Sequence, residues 1–273
     1  MHFWVRSAAA QTPAPVAGTG KRKRLHFVQP LFGGYLVMYW VSNASPPPEV
    51  PQEILESYDQ TSEYVNKFLV DQHPFRKGHV CPFVKSSLSM DGLIFSFVRQ
   101  THKKDLVKEI ILIIQEYIDF KSNFSDSQSG MVILFPPDFS EETLVDLQLH
   151  FKGYCIKRKI MMGALYPNST APSLHSEDYF PLRTPTPTLV LRDLVPMDIQ
   201  FLTQDRHHAA SKILFLKHYI SKFTEHPSKA VRERVNEARI TRKKLKLFLA
   251  SRVGAIIIGL CLPISFLGAY FAL

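Results

Sequence analysis

Cysteine is scarce in this chain of 273 residues, which contains only Cys81, Cys155 and Cys261. No CxxC pair occurs, and an odd number of thiols does not build the disulfide framework of a small secreted domain. Paired cysteines are also the usual ligands of a structural zinc site. The cysteine content therefore argues against both classes and favours a reducing compartment.

Several short catalytic motifs are missing as well. The sequence contains no HExxH, GxSxG, P-loop or GxGxxG pattern, and Gly33 and Gly34 neither follow a predicted strand nor open a predicted helix. Such patterns place the reactive or phosphate-binding groups of metalloproteases, hydrolases, kinases and dinucleotide enzymes. Their absence argues against those classes and leaves open whether the protein is an enzyme.

Acidic residues are missing from the first 48 positions, which hold five basic residues, four of them in the run 21–24. Residues 229–252 carry nine basic side chains against two acidic ones, a net charge of +7. Removing these +5 and +7 contributions from the total of +9 leaves −3 for residues 49–228. The basicity thus belongs to the two ends, which argues against nucleic acid as a partner and for ends that meet anionic membrane or act as targeting signals.

Residues 1–48 are predicted to be a basic N-terminal extension or targeting segment, and three interpretations remain open. An acid-free leader is typical of an organellar transit peptide, and a basic region followed by an apolar region also occurs in secretory signals. The third interpretation is an extension whose aromatic residues pack on the domain or touch a membrane. The apolar run 31–41 is too short to span a bilayer.

A folded domain is predicted over residues 49–206, after the prolines 46–48. Apolar residues recur at helical spacing over 51–72, and the later pattern alternates strands and helices. This order predicts an α+β (or α/β) fold with a four-stranded, largely parallel or mixed sheet covered by helices. The predicted strands are 93–98, 130–135, 159–165 and 188–192, and the predicted helices after the first are 103–120, 140–155, 197–202 and 209–223.

The C-terminal part is predicted to be helical and membrane-associated. Residues 207–252 form a basic juxtamembrane region, for which anionic lipid is the expected partner. Residues 253–273 contain no charged side chain, and as a helix they would extend about 31 Å, which is enough to cross a bilayer. The expectation is a single-pass, tail-anchored membrane protein whose body faces the cytosol, in a membrane that the sequence does not identify.

The stretch 160–202 contains the most unusual composition in the chain. Two apolar runs are separated by a polar, proline-containing loop at 166–187, and loops of this length are commonly functional or disordered. A ligand pocket is therefore predicted beneath this loop. Arg183 and Arg192 flank its final prolines and are candidate clamps for an acidic ligand, and Cys81 in the segment HVCPF is a candidate lining residue.

The segments CPFVKSSLSMDGLIFSFV, MVILFPPDF and MMGALYPNSTAPSLHSEDYFPLRTPTPTLVLRDLVPMDIQFL resemble an uncharacterised, mainly bacterial family with Cys-Pro-Phe and Arg-Ser/Thr-Pro-x-Pro motifs. The chain is more distantly similar to the YqcI/YcgG family, which includes haem-dependent N-hydroxylases. This resemblance implies a haem ligand at a His-Pro position, where the chain has Tyr166 followed by Pro167. Tyrosinate also binds haem iron in some proteins, so Tyr166 becomes the candidate metal ligand.

Two hypotheses follow from the sequence. In the first, a membrane-tethered domain binds haem or a small acidic ligand under the 166–187 loop and performs oxidative chemistry. In the second, the chain is a non-catalytic, membrane-anchored interaction module that has lost the chemistry of the family it resembles. The replacement of the histidine by Tyr166 keeps the second hypothesis open.

Overall fold

The structure, a computed structural model, describes residues 25–27, 37–100, 102–125, 128–173 and 175–270, with side chains from 37 to 252 within these ranges. The predictions for residues 1–24 and 28–36 lie outside the described residues. Six strands pair in one sheet: β1 Leu25–Phe27, β2 Met38–Val41, β3 Leu93–Phe97, β4 Gly130–Leu134, β5 Ile160–Leu165 and β6 Thr188–Asp193.

Seven α-helices surround the described sheet: α1 Gln52–Glu63, α2 Val84–Ser89, α3 Lys103–Lys121, α4 Glu141–Lys157, α5 Ile199–Leu202, α6 Ala209–Phe223 and α7 Lys229–Tyr270. A π-helical turn, Tyr64–Phe68, continues α1, and a 3-10 turn, Pro196–Asp198, precedes α5. Ser140 accepts a hydrogen bond from the backbone N–H of Thr143 at 3.2 Å, as expected for the N-cap of α4.

The strand order in the sheet is β1-β2-β3-β4-β6-β5. The described part of the chain therefore has an α+β fold, but the predicted count of four strands is wrong. The two additional strands, β1 and β2, lie in the region predicted to be an extension. Trp40 of β2 is fully buried against Phe95 and Tyr58, so the packing that defines this strand comes from residues distant in sequence.

The sheet is mixed, and among the described pairs only β3 and β4 run parallel. These two strands are linked by α3, as expected for a strand–helix–strand crossover. Strand β6 lies between β4 and β5 and is antiparallel to both, with Val190 opposite Val132 on one side and Gly163 on the other. The long loop 166–187 lets the chain turn back and insert β6 between two strands that a helix connects.

One face of the sheet is packed against α3 and α4. Ile94, Met131, Ile133, Leu189 and Met162 point to this side and are buried against apolar residues of both helices. The opposite face is packed over β2, β3 and β4, where α1 covers it, and Val190 of β6 packs against this cluster. Met161, on the same face of β5, is buried with residues of α6 and α7. The part of this second face formed by β5 and β6 is covered by the 166–187 loop and the segment around α2.

The last helices form a separate apolar cluster beside β5. Tyr219 and Leu216 of α6 pack with Val235 and Ala238 of α7 and with Leu202. None of the helices in the part of the chain that the structure describes has the length and apolar character that spanning a bilayer requires. The predicted transmembrane tail anchor at 253–273 is corrected accordingly: residues 253–270 are the end of α7, one 42-residue helix that begins in the basic segment. The side chains of 253–270 and all of 271–273 lie outside the part of the chain that the structure describes.

Candidate functional site: a cavity between the sheet and the proline-containing loop

A cavity of about 650 Å³ lies between the uncovered part of the sheet and the 166–187 loop. Its floor is the face of β6 and β5 that carries Val190, Gly163 and Leu165. The loop contributes Pro181 and Leu182 to the roof, and the segment that leads into α2 contributes Pro82 and Phe83. The wall is mainly apolar, so the cavity suits a small molecule with a large apolar part.

The cavity stays open because the sheet beneath it carries a glycine at position 163. A Cβ atom built on Gly163 would meet no atom within 4 Å, so the floor of the cavity is open above this residue. A Cβ on Gly130 would lie 3.1 Å from Cδ1 of Leu93, which shows how closely β3 and β4 pack beside the cavity. Gly163 therefore leaves volume that another residue type would fill.

The loop is held over the cavity by hydrogen bonds to α1 and the π-helical turn. Thr61 and Thr186 share a hydrogen bond of 2.8 Å between their buried hydroxyl groups. The Tyr64 hydroxyl donates to the carbonyl oxygen of Pro181. Burial raises the pKa of Tyr64, with smaller contributions from Cys81 and Tyr179, so the hydroxyl remains a donor. π-helical turns are frequent at functional sites, and this one places Tyr64 in the cavity wall.

Arg192 lies at one end of the cavity floor and is held in place by a buried carboxylate. Its Nη1 and Nη2 donate to the two Asp198 oxygens at 2.8 and 2.6 Å, and Nη1 also donates to the Asp193 carbonyl at 2.9 Å. Burial lowers the pKa of Arg192, but the hydrogen bonds and charge of Asp198 outweigh this and raise it. The Nε–H and one Nη2–H have no partner among the described residues, and 28% of the side chain is exposed.

The charged residues of the cavity wall are all basic. Arg192 and Arg206 line it, and the described lining residues include no aspartate, glutamate or lysine. Asp198 neutralises one of these charges, and the second remains. This remaining charge belongs to Arg206, which is exposed to solvent. The Arg192 end of the cavity therefore favours a ligand with an anionic group.

Behind this end, a buried lysine supports the segment that carries Arg206. Lys152 of α4 is fully buried, and its Nζ lies 2.8 Å from both the Phe201 carbonyl oxygen and Nε2 of His207. Burial lowers the pKa of Lys152 to about 7, with a further contribution from Arg206. Burial and the neighbouring Lys152 lower the pKa of His207 to about 4. Around neutral pH, His207 is therefore neutral and Lys152 is only partly protonated.

Three of the four residues proposed from the sequence line the cavity: Cys81, Tyr166 and Arg192. Arg183 does not. It is exposed on the outer side of the loop, where its Nε donates to the Ser169 carbonyl at 2.9 Å and its guanidinium lies 4.0 Å from the centroid of the Phe180 ring. The contacts of Arg183 thus brace the loop from outside.

The prediction of haem held by Tyr166 is corrected. The ring of Tyr166 packs against the core formed with α3 and α4, on the opposite side of the strand from Gly163 and Leu165. No histidine lines the cavity in the described residues, and no group of three or more His, Cys, Asp or Glu side chains that would hold a metal is found among them. No haem-binding group is therefore found among the described residues.

Several lining residues were not predicted from the sequence. Tyr64 lies in the π-helical turn, Gly163 in β5 and Arg206 between α5 and α6, and the three have no motif in common. The only sequence signal for Gly163 was a glycine inside a strand pattern, which commonly marks a close approach or an unfilled position. Arg206 was the last residue of the predicted domain and gave no signal.

The family comparison matches residues 58–234 to the family described as a domain of unknown function, DUF6875. This region contains the sheet from β3 to β6, the loop and the whole cavity. The chain belongs to this family. The comparisons with curated proteins and with solved structures gave no match. The DUF6875 assignment agrees with the resemblance to an uncharacterised family, and it supplies no reaction.

Proposed function

We propose that this DUF6875 domain binds a small, largely apolar molecule with an anionic group in the cavity under the 166–187 loop. The observation that carries this proposal is the composition of the wall, which is apolar except for a few polar groups and whose charged residues are Arg192 and Arg206. Binding sites for small molecules commonly combine an apolar enclosure with one or two charged groups that fix the orientation. No reaction is assigned to the site.

The size of the cavity supports a ligand of moderate length. A volume of about 650 Å³ lies within the range of about 300 to 1,000 Å³ that is typical of ligand pockets. Gly163 and Val190 provide a smooth apolar floor along β5 and β6. An aliphatic chain along this floor would place a carboxylate near Arg192.

The test compares decanoate with decan-1-ol, which share the chain but differ in charge, by calorimetric titration of the full-length protein. The acid is expected to bind about tenfold more tightly, because a hydrogen bond to a charged group contributes roughly 1.5 to 3 kcal/mol. Arg206→Gln is expected to reduce the advantage of the acid and to leave the alcohol unchanged. Arg183→Gln, outside the cavity, is the matched control and is expected to bind both molecules as the wild type does.

Two results would contradict the proposed function. If neither decanoate nor decan-1-ol binds, the cavity is not a site for this class of molecule. If both bind equally and Arg206→Gln changes nothing, the arginines do not select an anion.

We also propose that α7 contacts an anionic membrane surface between residues 239 and 252. Ile240, Leu247 and Phe248 are 57%, 62% and 49% exposed, although large apolar residues at these positions cost solubility. Basic side chains surround them, which is the arrangement of helices that lie in the interface of anionic membranes. The basic residues of this stretch are Arg239, Arg242, Lys243, Lys244, Lys246 and Arg252.

This second proposal is tested by sedimentation of the full-length protein with vesicles. Vesicles that contain phosphatidylserine are expected to pull down more protein than vesicles of phosphatidylcholine alone, and added salt should reduce the difference. Leu247→Glu should weaken this binding, whereas Leu214→Glu, at an exposed position of α6, should not. Equal binding to both vesicle types would contradict a role for the basic residues.

A further inference from the structure

Strand β5 forms one edge of the sheet, and its pairing with β6 shows which backbone groups face outward. The Leu194 N–H donates to the Lys159 carbonyl at 2.9 Å, and these residues continue the antiparallel register of the two strands. Hydrogen-bonded pairs occur at every second position of an antiparallel ladder. Met161, Gly163 and Leu165 therefore bond to β6, and the residues between them turn their N–H and C=O groups toward the free edge.

Two of these outward-facing residues differ in their surroundings. The Met162 carbonyl accepts a hydrogen bond from Nε2 of Gln148 on α4 at 3.0 Å. Ala164 is half-buried and lines the cavity, and its N–H and C=O have no partner among the described residues. The cavity therefore extends around the edge of β5 and reaches one free donor and one free acceptor on the same residue.

We propose that the ligand carries a secondary amide that pairs with Ala164, in addition to the apolar part and the anionic group of the proposed function on which this inference rests. An amide offers a donor and an acceptor, as a neighbouring strand would, and strand addition at a free edge uses the same pairing. Leaving the Ala164 groups unpaired against an apolar ligand would cost free energy.

The positions of Ala164 and Arg192 indicate how the groups of the ligand are arranged. Arg192 pairs with Met161, three residues along β5 from Ala164, and three residues of a strand extend about 10 Å. The Arg192 guanidinium is held by Asp198 and the Asp193 carbonyl at the Met161 end of this span. A ligand that reaches both groups needs a spacer between its carboxylate and its amide, and its acyl chain occupies the apolar part of the cavity. The ligand class is that of acylated amino acids.

The test uses three probes of equal chain length with the full-length protein: hexanoyl-β-alanine, its N-methyl derivative and decanoate. Hexanoyl-β-alanine is expected to bind about tenfold more tightly than the N-methyl derivative, which lacks the amide N–H. One good hydrogen bond changes the affinity by about this factor. Ala164→Pro removes the backbone N–H on an edge strand, where proline is tolerated. It should reduce the preference for hexanoyl-β-alanine over the N-methyl derivative, because neither probe can then pair with a backbone N–H at this position.

The outcomes separate this inference from the proposed function. If decanoate binds and hexanoyl-β-alanine binds no better than its N-methyl derivative, the amide pairing is wrong and the proposed function stands. An amide preference that Ala164→Pro leaves unchanged also overturns the pairing with Ala164. If none of the three probes binds, both proposals fail.

Discussion

The two faces of the sheet differ most clearly along β6. Leu189 and Leu191 point to one side, where they are fully buried against the core made with α3 and α4. Thr188, Val190 and Arg192 point to the other side, along the cavity. One strand thus serves a close-packed interior and an open chamber at the same time. The comparison shows that the cavity lies where alternate positions of the same strand face away from the helices.

The largest effect on stability is expected from Arg192→Met on the cavity face. Asp198 is 1% exposed and would lose both of its arginine donors, which leaves a buried carboxylate with the Val195 N–H and without its positive partner. Removing one partner of a buried ion pair costs roughly 3 to 5 kcal/mol. Urea denaturation followed by circular dichroism measures this loss. Arg183→Met is the control, and it should change the free energy of unfolding by less than about 0.5 kcal/mol because Arg183 is exposed.

A pair of leucine truncations compares the two faces directly. Leu189→Ala removes a fully buried side chain from the packed face and should cost about 3 kcal/mol, because the surrounding core cannot close the gap. Leu165→Ala, on the half-buried cavity side of β5, should cost only about 1 kcal/mol. The same denaturation experiment measures both. Equal losses would show that the cavity face is packed as tightly as the helix face.

A smaller and pH-dependent effect is expected from Lys152. Its pKa of about 7 in the folded protein lies below the ordinary value of 10.5, so the unfolded chain binds more protons between these values. Stability should therefore rise as the pH increases from about 7 toward 10, by at most about 1.4 kcal/mol per pH unit. Lys152→Met removes the titrating group. The variant should show a flatter pH profile over this window in thermal denaturation, and an unchanged profile would contradict the role of Lys152.

Much of the fold could be predicted from the sequence because local patterns determine it. The strands at 93–97, 130–134, 160–165 and 188–193 and the helix that begins after Ser140 follow apolar periodicity and capping residues. Strand β2 was not predicted, because Trp40 packs against Tyr58 and Phe95, which are distant in sequence. The place of β6 between β4 and β5 depends on pairing across the sheet, which no local pattern reports.

The candidate site was predictable only in part. The unusual composition of the 166–187 loop indicated the pocket, and Arg192 and Cys81 lie in its wall. The sequence could not predict that Arg183 lies on the outer side of the loop, because neighbouring residues of a loop can face opposite sides. The prediction of a membrane-spanning helix was wrong for the described residues. The charge-free run showed where an apolar segment begins, but it did not show that this segment continues a 42-residue helix that starts in the basic region.

Filling the cavity tests the central claim most directly. A Leu side chain at Gly163 would occupy the open floor, and replacing a glycine within a strand should keep stability within about 1 kcal/mol of the wild type. Gly153→Ala is the control, since its Cβ would lie 3.8 Å from Cδ2 of Leu214, outside the cavity. In a calorimetric titration, Gly163→Leu is predicted to lose decanoate binding by at least about tenfold, whereas Gly153→Ala retains it. Decanoate binding by Gly163→Leu with wild-type affinity would show that the ligand does not occupy this cavity.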